Sequence, residues 1–316
     1  MISRCTMSRL TSMTMLMGLV FLGFLELAGC RTTPLTGRRQ IMLVPEQHEI
    51  TMGEQGYQEI LNTEKISSRE KYKEIIERVG HRIAAVAGRP DYKWEFNLIE
   101  SANMNAFALP GGKVAVYEGL LDVCQNEAGL AVVMSHEVAH VLARHGGERM
   151  SQTALINSIQ KMIETSTKDK EAHDRELVMA VYGAASQYGI SLPFSRHHES
   201  EADQIGLMLM ADAGYDPREA PRFWERFAAA QGADKPIEFL STHPSDERRA
   251  SDLRKLIPEA VARYEKCDTK IALGEQLTQP GKLESPVGIP QGNVIQASGE
   301  SLPGTKDLNN GKMFDD

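Results

Sequence analysis

The sequence predicts an α+β fold that is mainly helical, with a small β-sheet beside one buried helix. Apolar residues recur at helical spacing over Met52–Leu61 and Tyr72–Val86, which predicts two amphipathic helices. Trp94–Ile99 alternates apolar and polar side chains, as a half-buried strand does. A nearly continuous apolar run from Glu127 to about Arg144 predicts a helix that lies inside the core.

Residues 1–29 have the pattern of a secretion signal. Two arginines precede an apolar stretch, Met13–Leu25, which is too short to span a membrane as a helix. The segment ends in Leu-Ala-Gly-Cys at Cys30, which is similar to a bacterial lipoprotein cleavage site. We therefore expect a lipid anchor at Cys30, holding the protein at the periplasmic face of the bacterial envelope, in the outer membrane. A plain cleaved signal peptide is the alternative.

The rest of the chain divides into three expected segments. Residues 30–45 read as a lipidated tether, and residues 46–267 as one globular domain. Residues 274–316 are rich in Gly, Pro, Ser, Asn and Gln, which predicts a disordered tail. Within the domain, apolar residues recur at helical spacing over residues 150–192. This segment predicts a helical hairpin that either covers a cleft or packs into the core.

Charge and cysteine content restrict the partners. The formal net charge of −8 at pH 7 argues against a nucleic acid as a partner. Cys124 and Cys267 remain once the signal and Cys30 are set aside. They could pair in an oxidising compartment, or Cys124 could be a buried free thiol.

The strongest pattern is His136-Glu137-Val138-Ala139-His140, inside the predicted core helix. Residues i and i+4 share one face of a helix, so both imidazoles point to the same place with a carboxylate beside them. That is the arrangement by which one helix supplies two ligands and a base to a catalytic zinc ion. His145 would lie about 140° round a continued helix, so it should not join them. The alternative is a pair of histidines held by ordinary hydrogen bonds.

A second helix, predicted to open at Ser195 as N-cap, offers a third ligand. Glu199 and Asp203 are four residues apart and share a face, whereas Glu201 lies about 200° from Glu199 and should point elsewhere. We therefore expect Glu199 to complete a His₂Glu zinc site and Asp203 to hydrogen-bond a ligand histidine. A solvated acidic helix start is the alternative.

Three further segments accompany the two metal-bearing helices: Pro34-Leu35-Thr36-Gly37-Arg38-Arg39-Gln40, Asn105-Ala106-Phe107-Ala108-Leu109-Pro110-Gly111-Gly112, and Thr242-His243-Pro244 with Arg249. With these segments and the two helices in place, the chain resembles the HtpX-type and CaaX-prenyl-protease-type zinc metallopeptidases, most closely their bacterial periplasmic members. The resemblance implies a zincin-like metalloprotease fold, one Zn²⁺ per chain at His136, His140 and Glu199, and endopeptidase activity on misfolded or unassembled envelope proteins.

The residues suggest a mechanism. Three protein ligands leave a fourth zinc position for water, whose pKa zinc lowers from near 16 to about 7. Glu137 would take the proton of that water as general base. The resemblance makes His243 the candidate to stabilise the oxyanion, and alternatively to occupy the zinc and gate the site. A surface histidine without a role is the third possibility, and Arg249 is expected to support the loop of His243.

Substrate binding and competing functions complete the expectations. Val114, Ala115 and Val116 lie in a predicted strand whose exposed edge could pair with an extended peptide, or in an ordinary hairpin strand. A holdase-like chaperone on the same zinc scaffold is the alternative to an enzyme. A structural zinc protein is a third option, although such sites normally close all four positions with Cys or His.

Overall fold

The computed structural model of the chain describes residues 30–169, 171–187, 191–230 and 249–277. The strands are β1 (Cys30–Thr32), β2 (Arg39–Ile41), β3 (Glu95–Ile99), β4 (Ala106–Leu109) and β5 (Lys113–Tyr117). The helices are α1 (Glu46–Thr63), α2 (Glu70–Val86), α3 (Glu118–Cys124), α4 (Glu127–Leu142), α5 (His145–Ser166), α6 (Ala172–Ser186), α7 (Leu192–Asp212), α8 (Glu219–Ala230) and α9 (Arg249–Tyr264). The predicted α+β, mainly helical fold is confirmed.

The three-stranded sheet has the order β3-β5-β4. β5 pairs in parallel with β3 and antiparallel with β4. The turn between β4 and β5 contains Gly111 and Gly112 at φ 93° and 88°, a region of backbone conformation that glycine enters without steric cost. β5 is therefore the central strand, and β4 is an edge strand of this sheet.

Both faces of β5 are buried. Val114 and Val116 point into the main core with α2 and α4, whereas Ala115 and Tyr117 pack against Tyr57 of α1. The expectation that Val114, Ala115 and Val116 form an exposed edge for substrate is therefore wrong. The pattern of β-branched residues marks a strand, but the order of strands in the sheet depends on pairing that the local pattern does not encode.

The helix α4 lies inside the core along almost its whole length. At its N-terminus, the side chain of Asn126 accepts the N–H of Gly129 at 2.9 Å. The main-chain carbonyls of residues 271–277 accept the N–H groups of Glu127 and Ala128. The first backbone donors of a buried helix thus find partners, which burial requires.

Both ends of the described chain differ from the expected tether and tail. Residues 30–41 form an antiparallel hairpin of β1 and β2, and Thr33 in its turn is buried. Packing continues to residues 271–277, past the expected domain end at Cys267. Polar composition suggested free segments, whereas these residues bond to the body of the protein.

The helices α5 and α6 form the expected hairpin. The hydroxyl of Tyr182 donates to the main-chain carbonyl of Ile156 at 2.7 Å. Large apolar side chains on both helices are between 48% and 71% exposed: Ile159, Met162, Leu177 and Val181. For these side chains, packing into the core is therefore excluded.

Cys124 is buried and Cys267 is half-buried, and both are free thiols, so the disulfide considered above is not formed. Among the described residues, no helix is long and apolar enough to cross a membrane. Residues 1–29, the side chain of Cys30 and residues 278–316 lie outside the description, as do the signal, anchor and tail predicted there.

Candidate active site

The side chains of His136 and His140 on α4 meet Glu199 on α7. The two Nε2 atoms are 3.1 Å apart. Glu199 Oε2 lies 3.3 Å from His136 Nε2, and Glu199 Oε1 lies 3.5 Å from His140 Nε2. One donor atom from each of the three side chains lies within 4.8 Å of the others. The structure thus brings the three expected ligands together.

The donor set fits zinc. Zinc bonds to nitrogen and oxygen of about 2.0–2.1 Å in a tetrahedral site place neighbouring donors about 3.3 Å apart, close to the three distances above. The Nδ1 atom of His136 lies 3.1 Å from Asp203 Oδ1, so its proton points to that carboxylate and a lone pair remains at Nε2. A lone pair and a carboxylate that face each other call for a cation between them.

Asp203 is paired with Arg249 as well as with His136. The Nε and Nη2 atoms of Arg249 donate to the two Asp203 oxygens, each at 2.7 Å. Arg249 Nη1 lies 3.7 Å from Glu199 Oε2, and its guanidinium carbon lies 3.6 Å from the centre of the Trp224 ring. Arg249 therefore contacts both metal-bearing helices, α7 through Asp203 and α4 through His136 Nδ1 at 3.4 Å. Sequence reasoning expected it only to support the loop of His243. Trp224 was missed, since an aromatic residue on an amphipathic helix carries no signal of this role.

Glu137 lies next to His136 and reaches the sheet. The main-chain N–H of Ala108 on β4 donates to the Glu137 carboxyl. The proposed base thus lies at the edge strand of the sheet. His243 falls within residues 231–248, outside the described residues, so both of its expected roles stay predictions.

Comparison with known proteins decides the family. The model of peptidase family M48 matches residues 70–257, more than half of the chain. The chain belongs to peptidase family M48. The expected metallopeptidase family and its zincin-like fold are confirmed, and this M48 protein is a zinc metallopeptidase.

Three relatives show the range of the match. Mitochondrial metalloendopeptidase OMA1 of Schizosaccharomyces pombe is 38% identical over 239 residues, which are 74% of this chain and 68% of that protein. The mitochondrial metalloendopeptidase OMA1 of Homo sapiens is 28% identical over 263 residues, 79% of this chain and 50% of that protein. The beta-barrel assembly-enhancing protease of Yersinia pestis is 32% identical over 187 residues, 57% of this chain and 38% of that protein. The chain spans half or less of the length of the latter two.

The relatives correct the expected location. The sequence pattern at residues 1–30 indicated a lipoprotein in a bacterial outer membrane, yet the OMA1 relatives from yeasts and animals are mitochondrial proteins. The assignment to the bacterial outer membrane is therefore wrong. Short targeting patterns rest on composition and a few residues, whereas the similarity to OMA1 extends over most of the chain.

Burial and charge set the protonation of the site in this M48 peptidase. Burial works to lower the pKa of His136, but hydrogen bonds to Asp203 and Glu199 raise it to about 9. Burial opposes ionisation of Asp203, but the charge of Arg249 and the hydrogen bond with His136 lower its pKa to about 2. Burial raises the pKa of Glu137 to about 8. Since a metal needs the neutral imidazole and favours ionised carboxyls, metal binding would release protons here.

His145 stays outside the donor cluster, as expected, but it contacts the other ring nitrogen of His140, which was not foreseen. The helix α4 ends at Leu142, and Arg144 adopts the left-handed conformation, at φ 55° and ψ 37°. This turn brings His145 Nδ1 within 2.8 Å of His140 Nδ1. Burial lowers the pKa of His145 to about 4, so the ring is neutral at pH 7.

Two details of α7 also differ from expectation. The helix spans Leu192–Asp212 and carries a proline at N1 or N2, so Ser195 lies inside it and is no N-cap. Glu201 does point away from the donor cluster, as expected, but it is buried and bonds to His145. The sequence offered one signal for this contact: a second glutamate close to Glu199 on the metal-bearing helix. A carboxylate that becomes buried there needs a partner.

Proposed function

We propose that this M48 peptidase cleaves extended, unfolded polypeptides with a zinc ion held by His136, His140 and Glu199. The observation that carries the proposal is the convergence of these three side chains, with donor atoms 3.1–3.5 Å apart, beside Glu137 and a strand edge. The bound zinc ion would polarise the scissile carbonyl and make a water molecule acidic enough to attack at neutral pH.

The protein's own residues have separate roles in this proposal. Glu137 accepts the proton of the attacking water and passes it to the leaving amine. Asp203 holds the proton of His136 at Nδ1, which keeps Nε2 available as a ligand. Arg249 positions Asp203 through two hydrogen bonds and balances the negative charge of the site.

The edge of β4 is the proposed substrate platform. Tyr117 N–H bonds to Asn105 O, and the register continues with Phe107 opposite Ala115. Ladder bonds alternate along an antiparallel pair, so the main-chain groups of Ala106 and Ala108 point away from β5. An extended peptide that pairs with this edge would pass Glu137. Main-chain pairing recognises extended conformation more than sequence, which favours unfolded or unassembled proteins as substrates.

The role of His243 is part of the same proposal. A neutral imidazole can donate to an oxyanion or bind the metal and hold the enzyme inactive. The variant His243→Ala separates the two: lower peptidase activity supports oxyanion stabilisation, and higher activity supports gating. Unchanged activity would remove His243 from the site.

Digestion of an unfolded protein such as casein tests the function. The full chain, Glu137→Gln and a chelator-treated sample should be compared, with zinc content measured in each. We expect cleavage by the first sample alone and full zinc content in Glu137→Gln. Glu127→Gln, a buried carboxyl at the other end of α4, is the matched control and should keep its activity. Cleavage by Glu137→Gln at the wild-type rate would refute the proposed base.

A holdase-like chaperone is the second candidate function. The exposed apolar side chains of α5 and α6 favour it, because such surfaces bind unfolded chain. Suppression of aggregation by Glu137→Gln as strong as that by wild type, without any cleavage by either, would replace the peptidase proposal with this one.

A further inference from the structure

His145 links the ring of His140 to a buried carboxylate. Its Nδ1 lies 2.8 Å from His140 Nδ1, and its Nε2 lies 3.0 Å from Glu201 Oε2. An ionised carboxylate only accepts, so His145 Nε2 carries a proton and donates it. In a neutral ring Nδ1 is then an acceptor, so the proton between the two rings belongs to His140. His140 is left with a lone pair at Nε2, the atom that faces His136 and Glu199.

We propose that His145 and Glu201 are positioning residues that fix the tautomer of His140 and thereby strengthen zinc binding at its Nε2. The inference rests on the proposed function, because it requires His140 to be a zinc ligand. Neither side chain belongs to the three-residue donor cluster. Partners of this kind typically change metal affinity by about 10–100-fold.

Glu201 is itself held by the hairpin of β1 and β2. Thr33 Oγ1 donates to Glu201 Oε1 at 2.7 Å, and the hydroxyl of Thr36 donates to the same oxygen. Arg38 Nε donates to Glu201 Oε2 at 2.8 Å. With His145, these donors engage both carboxylate oxygens, so Glu201 stays ionised and cannot rotate away. The N-terminal hairpin is therefore a structural support of the metal site.

The two ligand rings are held in parallel ways. His136 donates directly to Asp203, whose charge Arg249 balances. The series of hydrogen bonds that starts at His140 passes through one more ring, that of His145, before it also ends at a carboxylate. Arg38 balances the charge of that carboxylate. In both cases a buried anion paired with an arginine sets which nitrogen of the ligand ring keeps its lone pair.

Substitutions at His145 separate tautomer control from space filling. His145→Phe keeps an aromatic ring but removes both polar atoms. His145→Asn is smaller, yet its side-chain oxygen takes the place of Nδ1 as acceptor for His140. Zinc affinity of the full chain should be measured by competition with a chromophoric chelator, and stability of the zinc-free proteins by thermal unfolding.

We expect about 10–100-fold weaker zinc binding in His145→Phe, and a loss of only a few-fold in His145→Asn. A purely structural role predicts the opposite order, because Asn leaves the larger cavity. Wild-type zinc affinity in His145→Phe, or an equal loss in both variants, overturns the inference.

Glu201→Gln provides an independent test if His145→Phe fails to fold. Its amide oxygen would face His145 and Arg38, which both donate to the same carboxylate oxygen, but it carries no charge; the weaker acceptor holds the His145 proton less firmly, and zinc binding should weaken by about tenfold. The matched control is Glu219→Gln, which alters another buried carboxylate, paired with Arg226 at 2.7 Å. We expect the control to keep its zinc affinity even if its zinc-free form is less stable. Wild-type zinc affinity in Glu201→Gln refutes the proposed role of His145 and Glu201.

These outcomes are separable from a failure of the proposed function. If the wild-type chain binds no zinc, the proposed function fails, and the proposed role of His145 and Glu201 fails with it. If wild type binds zinc and cleaves casein, while Glu201→Gln and His145→Phe bind zinc as tightly as wild type, only the proposed role of His145 and Glu201 is refuted.

Discussion

Gly206 of α7 lies against the main chain of His136 on α4. A Cβ atom at position 206 would be 3.0 Å from both Cα and N of His136, closer than most real contacts of this kind. Glu199 is two helical turns before Gly206, so both face α4. The close approach of the two helices at Gly206 is what lets the Glu199 carboxylate reach the imidazoles.

Gly206→Ala should therefore weaken the metal site as well as the fold. The added methyl group meets backbone, which cannot move aside as a side chain can, and overpacking of this kind costs about 1–3 kcal/mol. We expect a lower free energy of unfolding for the zinc-free protein and weaker zinc binding, measured by urea titration and by chelator competition.

Gly183→Ala is the control, because nothing lies within 4 Å of a Cβ there. Its position inside α6 predicts unchanged zinc binding and a gain in stability of about 0.5–1 kcal/mol. Equal effects of the two substitutions on zinc affinity would contradict the role of close packing at Gly206.

Helical periodicity was enough to predict which residues converge. The spacing of His136 and His140 fixes a shared face of α4, and the spacing of Glu199 and Asp203 fixes one of α7. These relations are local, so they hold wherever the two helices are placed. The pairing of the two helices themselves came only from the need of a zinc site for a third ligand.

The features that sequence reasoning missed depend on long-range contacts or on an unusual backbone conformation. His145 reaches His140 because Arg144 is left-handed, a conformation that arginine rarely adopts. Glu201 bonds to Thr33, which is 168 residues away in the chain. No periodic pattern encodes either contact, although buried polar residues beside a metal site always require a partner.

Arg249 should be required for stability as well as activity. It is buried, and Arg249→Met would leave Asp203 and Glu199 with uncompensated charge, a change that costs about 3–5 kcal/mol in a buried pair. Arg249→Lys keeps the charge but loses the two parallel hydrogen bonds to Asp203 and the stacking on Trp224. We expect casein cleavage to fall in the order wild type, Lys, Met. Activity of the Met variant above that of the Lys variant would exclude the electrostatic role.

Ala108→Pro tests the edge of β4. Proline removes the N–H that donates to Glu137 and obstructs pairing with a substrate strand, but Ala108 makes no ladder bond to β5. We expect kcat/KM on an unfolded substrate to fall by about tenfold or more, with little change in melting temperature. Phe107→Pro is the control: it removes a ladder bond to Ala115, so it should lower the melting temperature first. If Ala108→Pro keeps wild-type kcat/KM, substrate does not bind along this edge.

Glu148 should make the protein sensitive to acid. Burial opposes its ionisation, but hydrogen bonds from Arg38 and His198 lower its pKa to about 2, well below the ordinary value. A carboxyl whose pKa is depressed by folding stabilises the protein above its unfolded pKa of about 4.3 and loses that contribution as pH falls towards the folded value. Because one proton is involved, Glu148 contributes at most about 1.4 kcal/mol per pH unit to the slope of the unfolding free energy against pH.

Glu148→Gln separates this contribution from that of the other acids. The variant leaves Arg38 facing Glu201 alone and should be less stable than wild type at pH 7, with a shallower decline between about pH 4.3 and 2. Urea unfolding of the zinc-free proteins at several pH values measures both slopes, and zinc-free samples exclude a contribution from metal release. Parallel curves for the two proteins across this range would mean that Glu148 titrates alike in the folded and unfolded states. Its pairing with Arg38 would then supply no pH-dependent stability.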